Sequence, residues 1–530
     1  MCTKKVFLAF SVGFIKKKCL HIIFTLSMSF SGTVRLTDLN DFIAPSQNCI
    51  KPILDKRSTA NQSERMRFDR DEINKSSQEK RTLKPVSVTL DDCLACSGCI
   101  TSAETVLIEQ QGPKEFLKMI EEFSNDNKVI FKELKSLFVV SISPQSRASL
   151  AASYNLTIEV TQRKLCAFLR SLGADICLDT TFARNFSLLA TAEEFVDYYR
   201  KNYLNCTSTS LSISPLITAI CPGWVCYAEK SVSDVVIPLM SKVRSPQAIA
   251  GSFVKDYLSK TMNILPNRIR HVTIMPCFDK KLEASRSAFL TDDGSSREVD
   301  LVLSTSDNYI FVMENSDLLY ERYFRSGQFK EILDEKCADF KNFDSSEQPN
   351  YLCLFDIFDE NTLYNHEGSG SGGYLEFVFK YAAKELFNLD ISSVEYVAQR
   401  NKDIQEARLI HDNKVLFHMA LCYGFRNIQN LIRKIRAGKC AYHFVEVMAC
   451  PSGCLNGGGQ IRGIDKMTSN VVEQLYHSLP TVQPGEWPNL KLLINRWLGG
   501  SLQSEKANRM LKTQYQAVKS TKSMRFNLEW

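Results

Sequence analysis

Two cysteines in a glycine-rich turn are the residues best suited to chemistry in this chain of 530 residues. The largely apolar run 443–449 leads into Cys450, and Cys454 follows four residues later, with glycines at 453 and 457–459. Glycine permits positive φ and a close approach of backbone N–H groups to a ligand. We therefore predict a strand that delivers two thiolates to a bulky inorganic group; the alternative is a tight turn with two buried thiols.

Two further cysteines stand in a matching context. Cys221 and Cys277 each follow a short apolar run that reads as a strand, and each is next to a proline, as Cys450 is. In open α/β sheets, ligands bind outside the carboxyl ends of the strands, where such residues converge. Together with Cys454 they make four thiolates, a complete ligand set for a cubane iron-sulfur cluster.

A separate cysteine run lies nearer the N-terminus. Cys93, Cys96 and Cys99 have the two-residue gaps that bacterial-type ferredoxins use for a cubane cluster. The next cysteine of such a run is replaced by Ala103, and Cys49 is the best candidate for the fourth ligand. Zinc sites more often take cysteines as separated pairs, so a zinc-stabilised interaction protein is the competing interpretation.

Composition narrows the class of protein. Apolar residues make up 44% of the chain and charged residues 23%, as in ordinary globular proteins. The net charge of +6 includes five lysines before Met28, so residues 28–530 carry +1 and no nucleic-acid partner is predicted. The 18 cysteines are clustered in short motifs, which favours a reducing compartment and metal ligation over a disulfide framework.

Four regions are predicted along the chain. Residues 1–28 form an extension whose two apolar runs are too short to span a membrane, so it is either a secretory signal or an upstream extension absent from the native protein. Residues 29–128 form an N-terminal iron-sulfur domain, with a linker at 55–84 in which fifteen of thirty side chains are charged. Residues 129–500 form a two-lobed domain, and 501–530 form a helix and a tail.

Short apolar strands alternate with helical patterns in the third region. This order predicts an α/β fold with parallel sheets and helices on both faces. The predicted strands are 137–143, 174–179, 216–220, 271–275 and 299–304, and the predicted helices include 162–172, 247–258 and 374–387.

A glycine-rich stretch, 368–373, precedes the last of these helices. Its spacing matches a dinucleotide-binding fingerprint, but a polar loop stands where that motif requires a strand. We therefore predict that this stretch forms a wall against the cluster of Cys450 and Cys454, with nucleotide binding as the alternative.

Taken together, the motifs resemble a known family. The stretches 218–224, 275–283 and 446–460 resemble the three signatures of iron-only hydrogenases. The stretch 30–52 and the ferredoxin-like run resemble the eukaryotic branch, the iron-only hydrogenase-like or nuclear prelamin A recognition factor-like proteins of cytosolic iron-sulfur protein assembly. The resemblance implies a two-lobed hydrogenase-like fold with a small ferredoxin-like domain. It implies two 4Fe-4S clusters, one on Cys49, Cys93, Cys96 and Cys99 and a more buried one on Cys221, Cys277, Cys450 and Cys454.

Departures from the hydrogenase pattern argue against turnover. Ile220 stands where hydrogenases carry a proton-donating cysteine, and Ile461 stands where they carry proline. Lys280 and Glu283, which hydrogenases use near the two-iron site, are retained. The resemblance therefore implies a non-enzymatic assembly factor, with a redox enzyme or electron carrier of the hydrogenase type as the alternative.

The C-terminus completes the comparison. Leu528, Glu529 and Trp530 resemble the tripeptide by which clients and adaptors dock on the cytosolic targeting complex. The resemblance implies that the chain links the scaffold ATPases of cluster assembly to that complex. It implies a cytoplasmic location and admits a nuclear one, with neither nucleic acid nor membrane as a partner.

Overall fold

A computed structural model describes residues 108, 110–129, 136–205, 214–305, 310–314, 320–324, 329–337, 340–341, 363–398, 401–461 and 466–517. The chain divides into two compact units, Met1–Glu79 and Lys80–Trp530, and all the described residues belong to the second. Cys49, Cys93, Cys96, Cys99 and the C-terminal tripeptide lie outside the described residues.

A four-stranded parallel sheet forms what we call the first lobe. Its order is β2-β1-β4-β5. The strands are β1 (Leu137–Ile142), β2 (Ile176–Asp179), β4 (Ile269–Met275) and β5 (Leu301–Ser304). Along β1, Phe138 and Val140 pack in one apolar cluster while Leu137 and Val139 pack in another. Both faces of the sheet are therefore covered, which is why its strands read as continuous apolar runs.

A five-stranded sheet forms the second lobe, in the order β3-β11-β10-β9-β8. The strands are β3 (Leu216–Ile217), β8 (Tyr396–Ala398), β9 (Ile404–His411), β10 (Lys414–Tyr423) and β11 (Phe444–Met448). β3, β11 and β10 run parallel, whereas β9 and β8 are antiparallel additions. The turn between β9 and β10 places Asp412 and Asn413 at φ of 50° and 58°. A separate hairpin pairs β6 (Ile310–Glu314) with β7 (Tyr320–Phe324).

Helices surround both sheets. They are α1 (Pro113–Val129), α2 (Pro144–Tyr154), α3 (Ile158–Ser171), α4 (Thr181–Tyr199), α5 (Pro222–Ser231), α6 (Ser233–Val236), α7 (Pro246–Ser252), α8 (Ser259–Met262), α9 (Asp279–Ala284), α10 (Phe329–Lys336), α11 (Tyr374–Phe387), α12 (Phe425–Arg436), α13 (Lys466–Tyr476), α14 (Leu490–Trp497) and α15 (Glu505–Leu511). A π-helix, Phe253–Leu258, continues α7, so the helix predicted at 247–258 is present but is not α-helical throughout. In the described part of the chain, no helix has both the length and the apolar composition needed to cross a membrane.

Helix α4 contributes to the cores of both lobes. Phe186 meets Trp497 at 5.5 Å between ring centroids in the apolar cluster of the first lobe. Phe195 meets Phe444 of β11 at 5.5 Å in the cluster of the second. One helix buried on two sides holds the lobes together, so the carboxyl ends of their parallel strands can supply a common site. The predicted α/β architecture is confirmed, whereas the strands β6 to β10 were not predicted.

Candidate metal centre

The loop after β11 brings back a second thiol close to the first. All five residues of β11 are buried, and Cys450 follows after one further residue, Ala449. Ser452 and Gly453 then adopt φ of 58° and 75°, and the Gly453 N–H donates to the Cys450 carbonyl at 3.2 Å. The positive φ of Gly453 explains the need for a glycine there, and the turn brings Cys454 near enough to Cys450 for its charge to raise the pKa of Cys450.

Cys221 reaches the same place along the neighbouring strand. β3 pairs in parallel with β11, with Leu216 opposite Phe444. Beyond the pairing, the Ala449 N–H donates to the Cys221 sulfur at 3.3 Å. The two strands therefore end side by side, and their cysteines follow at the same edge.

Cys277 belongs to the first lobe and lies just beyond the end of β4. The Gly459 N–H donates to the carbonyl of Pro276 at 2.9 Å, which ties the glycine run to the residue before Cys277. A Cβ on Gly457 would collide with the same carbonyl, and one on Gly459 would lie 3.2 Å from the Cys277 Cα. Glycine is required here because two backbones pass in contact.

The four thiols share one electrostatic environment. Burial raises the pKa of each, that of Cys221 to about 12, because it disfavours the thiolate. After burial, negative charge on Asp279, Cys450, Cys221 and Cys454 raises the pKa of Cys277 further. Thiols whose charges act on one another in this way lie near one another, and that the four bind one cluster stays a prediction.

The donor set fits an iron-sulfur cluster. Within the described residues, no three histidine, cysteine or carboxylate side chains lie close enough to hold a single metal ion. A cubane cluster needs a wider arrangement, because each thiolate binds a different iron. Thiols that resist ionisation while buried become thiolates when a cation binds them, so binding would release protons and would be coupled to folding.

The glycine-rich loop 368–373 lies against this centre. The Ser371 hydroxyl accepts from the Cys454 N–H at 3.0 Å. A Cβ on Gly370 would meet the side chain of Leu455, and one on Gly453 would meet the Ser371 hydroxyl. The glycine-rich loop therefore packs against the cysteine loop closely enough to leave no room for side chains, and its role as a wall of a cluster site stays a prediction.

Sequence reasoning missed Glu446, the residue that fixes this wall. Its side chain is fully buried in β11, and it accepts from the Tyr423 hydroxyl at 2.7 Å, the Leu375 N–H at 2.8 Å and the Ser369 hydroxyl at 3.0 Å. The bonds to Ser369 and Leu375 bracket the glycine-rich loop at both ends. A glutamate inside an apolar strand was the available signal, since charged residues are rarely buried without partners.

A small cavity of about 60 Å³ opens beside Cys454 and is lined by Arg184, Ile220 and Lys280 among others. The Lys280 ammonium donates to Glu283 at 2.7 Å and to the Ile220 carbonyl at 3.3 Å. Burial alone would lower the pKa of Lys280, but Glu283 and the thiols of Cys277 and Cys454 raise it, so the cation is retained.

The comparisons with known proteins agree with this geometry. Residues 136–458 match the family described as iron only hydrogenase large subunit, C-terminal domain. The chain is 42% identical over 512 residues to cytosolic iron-sulfur assembly component 3 of Pongo abelii, covering 95% of this chain and 100% of that protein. It is also 42% identical over 505 residues to cytosolic Fe-S cluster assembly factor narfl of Xenopus tropicalis, covering 94% and 99%. The chain belongs to the iron-only hydrogenase-like family.

The fold of this family member is also found among solved structures. A variant of the [FeFe]-hydrogenase HydA1 from Chlamydomonas reinhardtii aligns with a TM-score of 0.61 and 23% identity, covering 76% of this chain and 99% of that one. The family resemblance and the hydrogenase-like fold class predicted from the motifs are thereby confirmed. The two ligand sets, the docking role of the tail and the domain boundaries stay predictions.

One departure of this hydrogenase-like chain has a visible structural consequence. The Ile461 N–H donates to the Ser149 hydroxyl at 3.2 Å, a bond that proline cannot make because it lacks the N–H. Ile461 also packs beside the apolar core of the first lobe. This position therefore serves to join the segment after the cysteine loop to α2.

Proposed function

We propose that this chain is a component of the cytosolic iron-sulfur protein assembly machinery. The observation that carries the proposal is the convergence of four thiols, from distant parts of a chain that is related over almost its whole length to proteins named as cytosolic assembly components. The same names support a cytosolic location for this chain. A nuclear pool remains part of the proposal.

Two 4Fe-4S clusters are proposed as its cofactors. Cys221, Cys277, Cys450 and Cys454 are the proposed ligands of the second cluster, supported by their mutual electrostatic contact and by the glycine-lined walls. The proposed ligands of the first cluster are Cys49, Cys93, Cys96 and Cys99, supported by their ferredoxin-like spacing. When bound, the clusters supply sulfide-bridged iron that can be exchanged or can carry electrons.

The two clusters are proposed to differ in lability. In the second set Cys221 is buried and the other three cysteines are partly buried, and the set comes from both lobes, so opening that site requires disturbing the fold. The first cluster is proposed to lie nearer the surface and to be the one that exchanges. The chain then bridges the scaffold ATPases and the targeting complex, with Leu528, Glu529 and Trp530 as the contact to the latter.

Anaerobic purification with iron and sulfide counting tests the cluster assignment. We expect about eight iron and about eight sulfide per chain, with two electron paramagnetic resonance signals after reduction. Cys450→Ala should lose the second signal and reduce the yield of folded protein, whereas Cys93→Ala should lose the first signal and remain folded. Equal iron loss and equal yield for the two variants would contradict the ordering. Metal without sulfide would support the zinc interpretation instead.

A redox role is the second candidate, because the Lys280–Glu283 pair persists beside the cavity at Cys454. We propose that the chain does not turn over hydrogen, since the apolar side chain of Ile220 cannot relay a proton. Hydrogen evolution with a strong reductant under anaerobic conditions distinguishes the two. A rate above that of free cluster would favour the hydrogenase-type enzyme.

A further inference from the structure

Helix α12 carries positive charge that no acid on the helix balances. Residues 425–436 contain four arginines and lysines and no aspartate or glutamate. These cations and Lys439, just beyond the helix, are all exposed to solvent, and we call them the basic face: Arg426, Arg433, Lys434, Arg436 and Lys439. The opposite side of the helix is apolar, and its residues Ile428, Leu431 and Ile432 are buried in the core of the second lobe.

The stability of the helix explains the presence of only some of these cations. Arg433, Lys434 and Arg436 lie in the last turn, where cations complement the partial negative charge of the helix end. Arg426 lies in the first turn, where the partial charge is positive and a cation is unfavourable. A side chain that opposes the dipole and is exposed contributes nothing evident to the fold.

Partners within the chain are few. Among the described residues, one carboxylate pairs with the basic face: Asp234 lies 3.6 Å from Arg436, with both side chains at least half exposed. Lys434 lies over the ring of Tyr442 at 5.6 Å. Asp403 accepts from the Ser452 N–H at 2.7 Å and is thus engaged with the cysteine loop. Most of the positive charge is therefore available to another molecule.

The first turn of α12, which carries Arg426, lies at the exposed side of the metal centre, and the other four cations of the basic face lie toward the far end of the helix. Gly424, the residue before α12, donates its N–H to Met448 and packs toward Pro451. Pro451 and Ser452 are exposed, and they are the part of the Cys450–Cys454 loop that a docked molecule can reach. A partner that spans the helix from its last turn to Arg426 would therefore lie against this loop.

We propose that the basic face of α12 docks an acidic protein surface and holds it beside the Cys450–Cys454 loop. A protein fits better than a membrane, because the apolar side of the helix is buried and cannot insert into lipid. It fits better than nucleic acid, because the chain from residue 28 onward carries a net charge of only +1. The proposal does not depend on whether the cysteine site transfers or only carries a cluster.

The test uses the full chain and a fluorescein-labelled decaglutamate peptide, with binding followed by fluorescence anisotropy in 50 mM salt. Arg426→Glu combined with Arg433→Glu should weaken binding about tenfold, since two exposed charge contacts become repulsive. Lys118→Glu combined with Lys384→Glu makes the same charge change on exposed helices elsewhere and should leave the affinity within twofold. Hydrogen exchange should show peptide-induced protection at 425–440.

A single variant tests whether weaker peptide binding could result from misfolding. Arg426→Glu places an acid in the first turn, so it should leave the thermal midpoint unchanged or raised while binding weakens. Equal affinity of all variants for the peptide, or protection elsewhere, would overturn the proposal. Tighter binding of a 20-base-pair DNA duplex or of phosphatidylserine vesicles than of the peptide, lost in the same variant, would also overturn it and would assign the surface to that class of partner.

Discussion

Glu446→Ala tests whether the metal centre depends on the wall behind it. The substitution leaves two buried donors, the Tyr423 hydroxyl and the Leu375 N–H, without an acceptor, while the half-buried Ser369 hydroxyl can turn to water. An unsatisfied buried donor costs about 1–3 kcal/mol, which sets the loss at about 2–6 kcal/mol. Burial raises the pKa of Glu446, because the buried carboxylate charge is less well solvated than in water. The alanine variant removes this desolvation cost from the folded state. We therefore expect the lower half of that range, about 2–4 kcal/mol.

The loss should appear as two separable effects. Urea denaturation measures the free energy of unfolding, and iron content per folded chain measures the site. Because the Ser371 hydroxyl accepts from the Cys454 N–H, releasing the glycine-rich loop should lower iron occupancy even in folded protein. Glu406→Ala is the matched control, since Glu406 is buried in the same sheet but accepts from Tyr442 and His418 instead. It should cost stability with iron per folded chain unchanged; the same iron loss in both variants would refute the reasoning.

Three further outcomes are expected. Gly457→Ala should lower iron occupancy, because its Cβ would meet the Pro276 carbonyl, whereas Gly458→Ala, whose Cβ has no contact closer than 3.9 Å, should not; iron analysis of the pair decides. Burial lowers the pKa of His271 to about 3, so the unfolded chain gains a proton first as pH falls. Stability should drop by about 2 kcal/mol between pH 6.5 and 5 relative to His271→Asn, measured by urea denaturation, and equal pH slopes would contradict it. Deleting residues 528–530 should abolish binding to the targeting complex in a pull-down while leaving iron content unchanged.

Much of the fold could be predicted, and the second ligand set could be proposed, because the signals are local. The parallel strands are buried on both faces, so they read as short apolar runs, and the rule that ligands gather at carboxyl ends then brings Cys221, Cys277 and Cys450 together. Strand β9 escaped prediction because four of its eight residues are polar and five of the eight are not fully buried. The Asp412–Asn413 turn that follows it was the unused signal, since these residue types tolerate positive φ.

The supports of the site could not be predicted because their partners are distant in sequence. Glu446 bonds to residues 71 and 77 positions away, and the Gln460 amide donates to the Gln145 carbonyl, 315 positions away. Spacing and periodicity describe one element at a time. They therefore identify which ligands follow a strand, but not which distant residues hold that strand in place through hydrogen bonds. A buried glutamate in a strand can only be interpreted once the loop that contacts it has been placed.

The position of the centre gives the segment 457–461 a second role. Cys277 belongs to the first lobe, while the other three thiols follow strands of the second. Gly459, Gln460 and Ile461 bond across to Pro276, Gln145 and Ser149, all in the first lobe. A group bound by all four thiols would add covalent ties parallel to these hydrogen bonds. The segment 457–461 would then both close the site around a bound group and join the two lobes, so binding of the group and association of the lobes would stabilise each other.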